Sequence, residues 1–221
     1  MQTAKNFFRS VVKTALPLIA RIDVKGAENL KRDDSFIIAA NHLGQLDGAL
    51  IYYLIDRNDL MYLVNDKYKN HPFLGRFLVS IGGLYIKRNA QNIRAIRKAL
   101  EHTKSNGILI ITPEGVRSPT GALQHGKSGV AFFACKLNRP IVPVGITGTE
   151  DWLVIDNLKH FRNSHITVTV GKAFNLSPQK RKTLITENAA DEIMCQIAAL
   201  LPDSYRGTYA EHSRVQYLLN N

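Results

Sequence analysis

The sequence predicts an α/β fold, a mostly parallel central sheet flanked by helices, with an N-terminal amphipathic helical segment. The first observation behind this prediction is an alternation of short apolar, β-branched runs with segments whose apolar residues recur at helical spacing. The second is composition. The chain has 221 residues, of which 45% are hydrophobic and 21% charged, so it can bury one core and is too apolar to be disordered.

The first element is a basic amphipathic helix over residues 4–19, in which apolar side chains fall among Lys5, Arg9 and Lys13. A helix packed on its own domain and a helix lying on a membrane surface both need one apolar stripe, so both interpretations stay open. For residues 1–19 we predict membrane association, with the three cations meeting anionic lipid. Because no uncharged stretch reaches the ~18 to 20 apolar residues of a membrane span, we expect peripheral or monotopic attachment at the cytoplasmic face.

Strand and helix patterns alternate from residue 35 onward. Strand patterns lie at 35–40, 60–64, 84–86, 108–111 and 141–146, and helical patterns at 48–55, 93–100, 130–137 and 190–201. Residues 165–170 alternate apolar with polar side chains, which is typical of an outer strand with one solvated face. We therefore predict one α/β domain over residues 20–205, followed by a polar tail over 206–221.

The charge and the cysteines narrow the class of protein. Twenty-nine Lys and Arg against 18 Asp and Glu give a net charge of +11, which attracts phosphates on nucleic acid, lipid or a small substrate. Nucleic acid is disfavoured, because the chain lacks aromatic residues interleaved with basic ones on a strand. Cys135 and Cys195 lie in apolar helical patterns, which predicts buried thiols and a reducing, intracellular setting.

The strongest local signal is the segment Asn41-His42-Leu43-Gly44-Gln45-Leu46-Asp47, between a buried-type strand and a helix. Catalytic and ligand-binding groups of open α/β sheets gather at this carboxyl end of a strand. A lone histidine there is more often structural. Asp47 changes that balance, because a carboxylate in the first helical turn can hold one ring nitrogen of His42 protonated and leave the other as a general base.

Two further clusters follow predicted strands. Gly82 to Arg88 ends in Lys87 and Arg88, and Thr112-Pro113-Glu114-Gly115-Val116-Arg117-Ser118 follows the strand at 108–111. Taken singly, they could be a solvated charge pair and a surface turn. A parallel sheet would instead bring His42, Arg88, Glu114 and Arg117 to one edge, where the guanidinium groups suit a phosphorylated substrate.

Several other chemistries lack their motif. Gly126-Lys127-Ser128-Gly129 opens a helix and could add backbone N–H groups for phosphate, but it lacks the spacing of a nucleotide P-loop. The sequence offers no zinc spacing and no Gly-x-Ser-x-Gly nucleophile, so we predict no metal and no cofactor.

Four ordered blocks resemble those of the glycerolipid acyltransferases with the NHxxxxD motif, the 1-acylglycerol-3-phosphate acyltransferase type. They are Asn41-His42 with Asp47, Gly83 to Arg88, Pro113-Glu114-Gly115 with Arg117-Ser118, and Ile141-Val142-Pro143-Val144. The resemblance covers roughly residues 20 to 200. Gly44 stands where the family often has Ser, and Thr112 and Val116 stand where it has Phe and Thr.

The resemblance implies transfer of an acyl group from acyl-CoA or acyl carrier protein to a lysophospholipid hydroxyl in phospholipid biosynthesis. His42 and Asp47 would be catalytic. The acceptor would be bound by Asn41, Lys87, Arg88, Glu114, Gly115 and Arg117, and the acyl chain by Val142 and Pro143. The expected partners are the lysophospholipid, the acyl thioester or its carrier protein, and an anionic membrane surface, with no nucleic acid.

Two alternatives stay open on the residues alone. A phosphate-ester hydrolase could use the same His42 and Asp47 on water, although it would ordinarily need a metal cluster or a further nucleophile. A non-catalytic basic module that binds membranes would explain the charge, but not the acid–base pair beside arginines.

Overall fold

A computed structural model describes residues 2–72, 74–87, 93–176 and 187–221. Within these ranges the chain forms eight α-helices and seven β-strands. The helices are α1 (Gln2–Ile19), α2 (Leu46–Leu54), α3 (Leu74–Ser80), α4 (Ile93–Lys104), α5 (Ser128–Leu137), α6 (Asp151–Lys159), α7 (Glu187–Ala198) and α8 (Ser213–Leu219). The strands are β1 (Ala20–Lys25), β2 (Ile37–Ala40), β3 (Leu60–Asn65), β4 (Gly83–Ile86), β5 (Ile108–Ile111), β6 (Ile141–Thr147) and β7 (Ser164–Val170).

The strands form one sheet in the order β1-β7-β6-β2-β5-β3-β4. Each neighbouring pair is parallel except β6 and β7, which run antiparallel. This mostly parallel sheet flanked by helices confirms the predicted fold class. The carboxyl ends of β6, β2 and β5 are adjacent, so the loops that follow these three strands meet at one edge.

Apolar layers cover both faces of the sheet. Successive side chains of a strand point to opposite faces, so Ile37 and Ala39 of β2 join the layer under α4, α5, α7 and α8. Ile38 and Ala40 join the other layer, under α1 and α2. Burial on both faces explains why the central strands are continuous apolar runs, the pattern that predicts them.

Strand β7 has the predicted solvated face but not the predicted outer position. Ile166, Val168 and Val170 are buried while His165 is exposed. The outer position belongs to β1, which pairs with β7 in parallel and which the sequence analysis did not predict. Charged residues alternate through β1, so its apolar signal is weak beside that of the preceding helix.

Helix α1 packs on its own domain. Val12 and Leu16 are buried in the layer that it shares with α2, and Lys5 and Arg9 are buried as well, while Lys13 is exposed. Lys5 Nζ donates to the Asn58 carbonyl at 2.9 Å, and Arg9 and Lys13 each lie 3.2 Å from the Asp56 carboxylate.

The loop at 56–59 binds Lys5 and Arg9 within the domain, so these two cations do not face a membrane in this structure, whereas Lys13 is exposed and its contact with anionic lipid stays a prediction. Lys5 and Arg9 are only 9% and 8% exposed. The outward face of α1 instead carries apolar side chains, with Phe7 71% and Leu18 72% exposed. Among the described residues, no helix combines the length and apolarity that crossing a membrane would require.

The C-terminal residues 206–221 contribute to the core, since Tyr209 and Val215 are buried. They also brace the long loop before α5, where the Thr208 N–H donates to Leu123 O at 3.3 Å and the Gly126 N–H donates to the Tyr209 hydroxyl at 3.3 Å. Cys135 and Cys195 are both buried and are not joined in a disulfide, as predicted.

Candidate active site

The segment that follows β2 carries the central pair of side chains. His42 Nδ1 lies 2.7 Å from Asp47 Oδ2. A carboxylate only accepts hydrogen bonds, so Nδ1 carries the proton and Nε2 keeps a free lone pair. His42 remains partly exposed while Asp47 is buried. The predicted pair thus has the geometry of an oriented general base.

Asp47 is held by more than the histidine. Its Oδ2 atom accepts the backbone N–H groups of Leu43 at 2.8 Å and Gly44 at 3.0 Å, because Asp47 lies in the first turn of α2 and faces back over the loop. Its Oδ1 atom accepts the hydroxyl of Thr149 at 2.6 Å. A buried carboxylate is costly without partners, and these four contacts occupy both of its oxygens.

Asn41 supports the loop from below. Its side-chain amide donates to the Ile146 carbonyl at 2.8 Å, and its carbonyl accepts the Ile146 N–H at 2.7 Å. Since Asn41 is buried and both polar groups are engaged, its placement joins the end of β2 to β6. This position suits a positioning role better than the substrate contact predicted for Asn41.

Glu114 lies under the same loop. Oε1 accepts the His42 backbone N–H at 2.9 Å, and Oε2 accepts the Gln124 N–H at 3.1 Å. Burial raises the pKa of this carboxyl above its ordinary value of 4.5, whereas the two N–H donors and the nearby His42 oppose the rise. We call His42 and Asp47 the dyad, and residues 41–45 the dyad loop. Glu114 therefore ties the loop after β5 to the dyad loop, and it does not line the cavity described below.

The turn around Gly115 brings this loop back toward the histidine. Gly115 has φ 68°, a left-handed conformation that costs little without a side chain, and its N–H donates to Thr112 O at 2.9 Å. Two residues later the chain reaches Arg117, and the Ser118 N–H then donates to the His42 carbonyl at 2.7 Å. The Pro-Glu-Gly block thereby places Arg117 beside the dyad.

Arg117 is paired in this structure. Its Nη1 donates to Asp151 Oδ2, while Asp151 Oδ1 accepts the Gln45 N–H at 2.8 Å. Both side chains are about one-third exposed, at 36% and 34%. Sequence reasoning missed Thr149 and Asp151. They follow β6 directly, so the rule that functional groups gather after parallel strands could have found them.

Gly44 explains one departure from the family pattern. A Cβ atom there would lie 1.9 Å from the Thr149 carbonyl oxygen and 3.0 Å from Asp151 Oδ1. The dyad loop and the loop after β6 therefore approach too closely for a serine. The close approach is the condition for the contacts of Thr149 with Asp47 and of Asp151 with Gln45.

A cavity of about 1180 Å³ opens beside the dyad. Its polar wall includes His42, Asp47, Gly115, Arg117 and Asp151. Another part of its wall is apolar and comes from α1, α2, α3 and the turn that follows α3: Phe8, Ile51, Leu74, Phe77, Leu78 and Ile81. The cavity could hold a ligand that is polar at one end and hydrocarbon at the other.

The remaining predicted residues lie elsewhere. Lys87 is exposed at the end of β4 and outside the cavity lining, and Arg88 lies outside the described residues. Val142 and Pro143 are buried within β6 and do not line the cavity. In this structure they therefore do not meet the cavity, contrary to the predicted contact with an acyl chain. Nowhere in the described ranges do three or more His, Cys, Asp or Glu side chains come together as potential metal ligands.

The sequence of this chain is similar to those of known proteins. A family model described as Acyltransferase matches residues 21–147. A 1-acyl-sn-glycerol-3-phosphate acyltransferase of Borreliella burgdorferi is 27% identical over 153 residues, covering 66% of this chain and 59% of the relative. One from Cocos nucifera is 32% identical over 119 residues, covering 52% of this chain and 38% of the relative. The chain thus spans less than two thirds of the length of either relative.

A solved structure shares the fold. The crystal structure of the 1-acyl-sn-glycerophosphate (LPA) acyltransferase PlsC from Thermotoga maritima matches with a TM-score of 0.62 at 24% identity. The match covers 85% of this chain and 78% of that one. The family model spans more than half of this chain, including the dyad and the Pro-Glu-Gly block. The chain therefore belongs to the acyltransferase family, as the resemblance of its four blocks indicates.

Proposed function

We propose that this protein transfers a fatty acyl group from an acyl thioester to the hydroxyl of a lysophospholipid such as 1-acylglycerol-3-phosphate. The observation that carries the proposal is the His42–Asp47 pair at the polar wall of a cavity whose remaining wall is largely hydrocarbon. Acceptor and donor both combine a polar end with an acyl chain, so they match this division. The names of the relatives point to the same substrate class.

In the proposed reaction, His42 Nε2 takes the proton of the acceptor hydroxyl as its oxygen attacks the thioester carbonyl carbon. Asp47 stabilises the imidazolium that forms. When the tetrahedral intermediate collapses, the carbon–sulfur bond breaks and His42 returns the proton to the departing thiolate. The products are the two-tailed phospholipid and a free thiol, and no acyl-enzyme is formed.

The residues that line the cavity suit the phosphate and the acyl chain of the substrates. Arg117 is the described arginine that lines the cavity near the dyad, so it would bind the acceptor phosphate through its guanidinium group. The apolar wall would take an acyl chain, at about 0.8 kcal/mol for each methylene removed from water. Fixing the hydroxyl against His42 in this way can supply several kcal/mol of the barrier reduction.

The outward apolar side chains support a membrane location for the enzyme. Helices α1 and α3 line the cavity through Phe8 and Phe77, and they also expose Phe7, Leu18 and Val79. A cavity bordered by such a surface can receive a lysolipid directly from a bilayer. Attachment would therefore depend on apolar insertion and not on Lys5 or Arg9.

The purified protein tests this proposal when it is incubated with acyl-CoA or acyl carrier protein and a panel of lysolipids. We expect free thiol and diacyl product in equal amounts, with and without EDTA. Release of inorganic phosphate from the acceptor, lost in EDTA and restored by one divalent ion, would support the hydrolase alternative. Absence of product with every acceptor and both donors would refute the proposal.

A further inference from the structure

A phosphate bound to Arg117 would lie close to the carboxylate of Asp151. Asp151 Oδ2 accepts from Arg117 Nη1, and both residues line the cavity that holds His42. A guanidinium group offers five donors, so Arg117 can still bind a phosphate through its remaining N–H groups. Phosphate and Asp151 would then share one cation.

Asp151 is fixed independently of Arg117. Its Oδ1 atom accepts the Gln45 N–H at 2.8 Å, and it is the first residue of α6. Thr149, two residues earlier, is buried and bound to Asp47. The carboxylate therefore stays at the cavity when a ligand binds, and an acceptor phosphate cannot remove its charge by moving Arg117 alone.

We propose that Asp151 determines which acceptors the site prefers. As the fixed counterion of Arg117 it weakens the binding of phosphate head groups, and it weakens a doubly charged phosphomonoester more than a singly charged phosphodiester. Coulomb repulsion scales with the charge of the ligand, so the monoester suffers about twice the penalty in free energy. This inference rests on the proposed function, because it assumes that Arg117 meets the acceptor phosphate.

The test removes the negative charge of Asp151 while keeping the shape of its side chain. In Asp151→Asn the amide oxygen can still accept from Gln45, but the negative charge beside Arg117 is gone. We expect the KM for 1-acylglycerol-3-phosphate to fall roughly three- to tenfold, the scale of a partly screened charge pair. The KM for lysophosphatidylglycerol should fall less, and donor KM and kcat should change less than acceptor KM.

Asp156→Asn is the matched control. It removes the same charge from the same helix, where Asp156 pairs with Arg162 at 2.7 Å, away from the cavity lining. We expect no change in the ratio of the two acceptor KM values. If Asp156→Asn shifted that ratio as much as Asp151→Asn, the effect would come from overall charge and the inference would be overturned.

The Arg117→Ala background tests the coupling directly. Arg117→Ala removes the guanidinium group that holds the phosphate close to Asp151, so in this background Asp151→Asn should alter the preference between monoester and diester by less than about twofold. A rise of acceptor KM in the Asp151→Asn single variant would mean that Asp151 holds Arg117 in its binding pose. That outcome would overturn the inference, as would an undiminished effect in the double variant.

Direct binding separates this inference from the proposed function. Calorimetric titration of the same four proteins and the double variant with glycerol 3-phosphate measures head-group affinity without catalysis. If Asp151→Asn tightens binding while the wild-type protein transfers no acyl group, the proposed function fails and the role of Asp151 stands. If the wild-type protein is active and neither KM nor Kd responds to Asp151→Asn, only the inference fails.

Discussion

Thr149 donates its hydroxyl hydrogen to Asp47 Oδ1 across 2.6 Å, although 102 positions separate the two residues in the chain. The contact joins the loop after β6 to the first turn of α2, and Thr149 is fully buried. It leaves the other oxygen of Asp47 for His42 and two backbone N–H groups. The orientation of the His42–Asp47 pair therefore depends on the loop that follows β6.

Thr149→Val should reduce kcat about tenfold with little change in either KM, because Asp47 loses a charge-assisted hydrogen bond and holds His42 less firmly. Thr149→Ser keeps the hydroxyl and should restore most of the activity. Steady-state kinetics and thermal melts of both variants provide the measurement. A loss that Thr149→Ser shares equally would assign the role of Thr149 to packing of its methyl group.

His42→Ala should abolish acyl transfer while the fold is kept, because loss of a general base typically costs ~10² to 10⁴ in rate. Asp47→Asn should be nearly as damaging. Thiol release and circular dichroism of the purified variants test both statements. If either variant retained more than about a tenth of wild-type turnover, the loss would be smaller than general-base catalysis usually supplies, and the dyad assignment would be wrong.

Glu114 should make stability depend on pH. Burial raises the pKa of its carboxyl above 4.5, so the folded state binds a proton more tightly than the unfolded chain does. Stability from such a group is fully present below the ordinary pKa and is lost as pH rises through the folded pKa. The free energy of unfolding of the wild type relative to Glu114→Gln should therefore fall as pH rises from about 4.

Urea unfolding of both proteins between about pH 4 and 7.5 gives this difference. Glu28→Gln is the matched control, since Glu28 is exposed and the variant removes the same charge at the surface. A difference for Glu114→Gln that is flat or increases with pH would contradict the prediction.

The outward face of α1 should attach the protein to vesicles through apolar contact. Phe7→Ser with Leu18→Ser removes two largely exposed apolar side chains and should reduce flotation with phosphatidylcholine vesicles several-fold. Raising the salt concentration should weaken wild-type binding little, because Lys5 and Arg9 are bound by residues 56–58.

Ile93→Ser serves as the control for that experiment. Ile93 is 62% exposed on α4, which packs on the opposite face of the sheet from α1. Its replacement should leave flotation unchanged. Binding that needs anionic lipid and disappears in high salt would show that other cations, and not the apolar face of α1, carry the attachment.

Local signals were sufficient for the central strands and for the dyad. The runs at 108–111 and 141–146 are apolar throughout because both faces of β5 and β6 are covered. The four residues between His42 and Asp47 span one short loop and the start of α2. The rule that functional groups follow parallel strands marks the residues after β6 as candidates, but the sequence could not show that β6 lies beside β2. Thr149 and Asp151 reach the dyad only through that pairing.

The orientation of α1 was similarly beyond the sequence. The amphipathic pattern of α1 predicts that one face is apolar. It does not predict that the loop at 56–59 binds Lys5 and Arg9 through a carboxylate and carbonyl groups. Lys5 and Arg9 bind the loop at 56–59, and with this orientation of the helix Phe7 and Leu18 are exposed. Long-range polar contacts of this kind leave no periodic signal.

The placement of β1 at the edge of the sheet affects how the protein is made. Within the described sheet its hydrogen-bonded neighbour is β7, which ends at Val170. At roughly 5–20 residues per second, translation leaves on the order of ten seconds between the emergence of the two strands. During that interval α1 and β1 cannot complete the sheet, and the apolar face of α1 is available to any bilayer near the ribosome. The N-terminal strand therefore joins its sheet only after most of the chain has been synthesised.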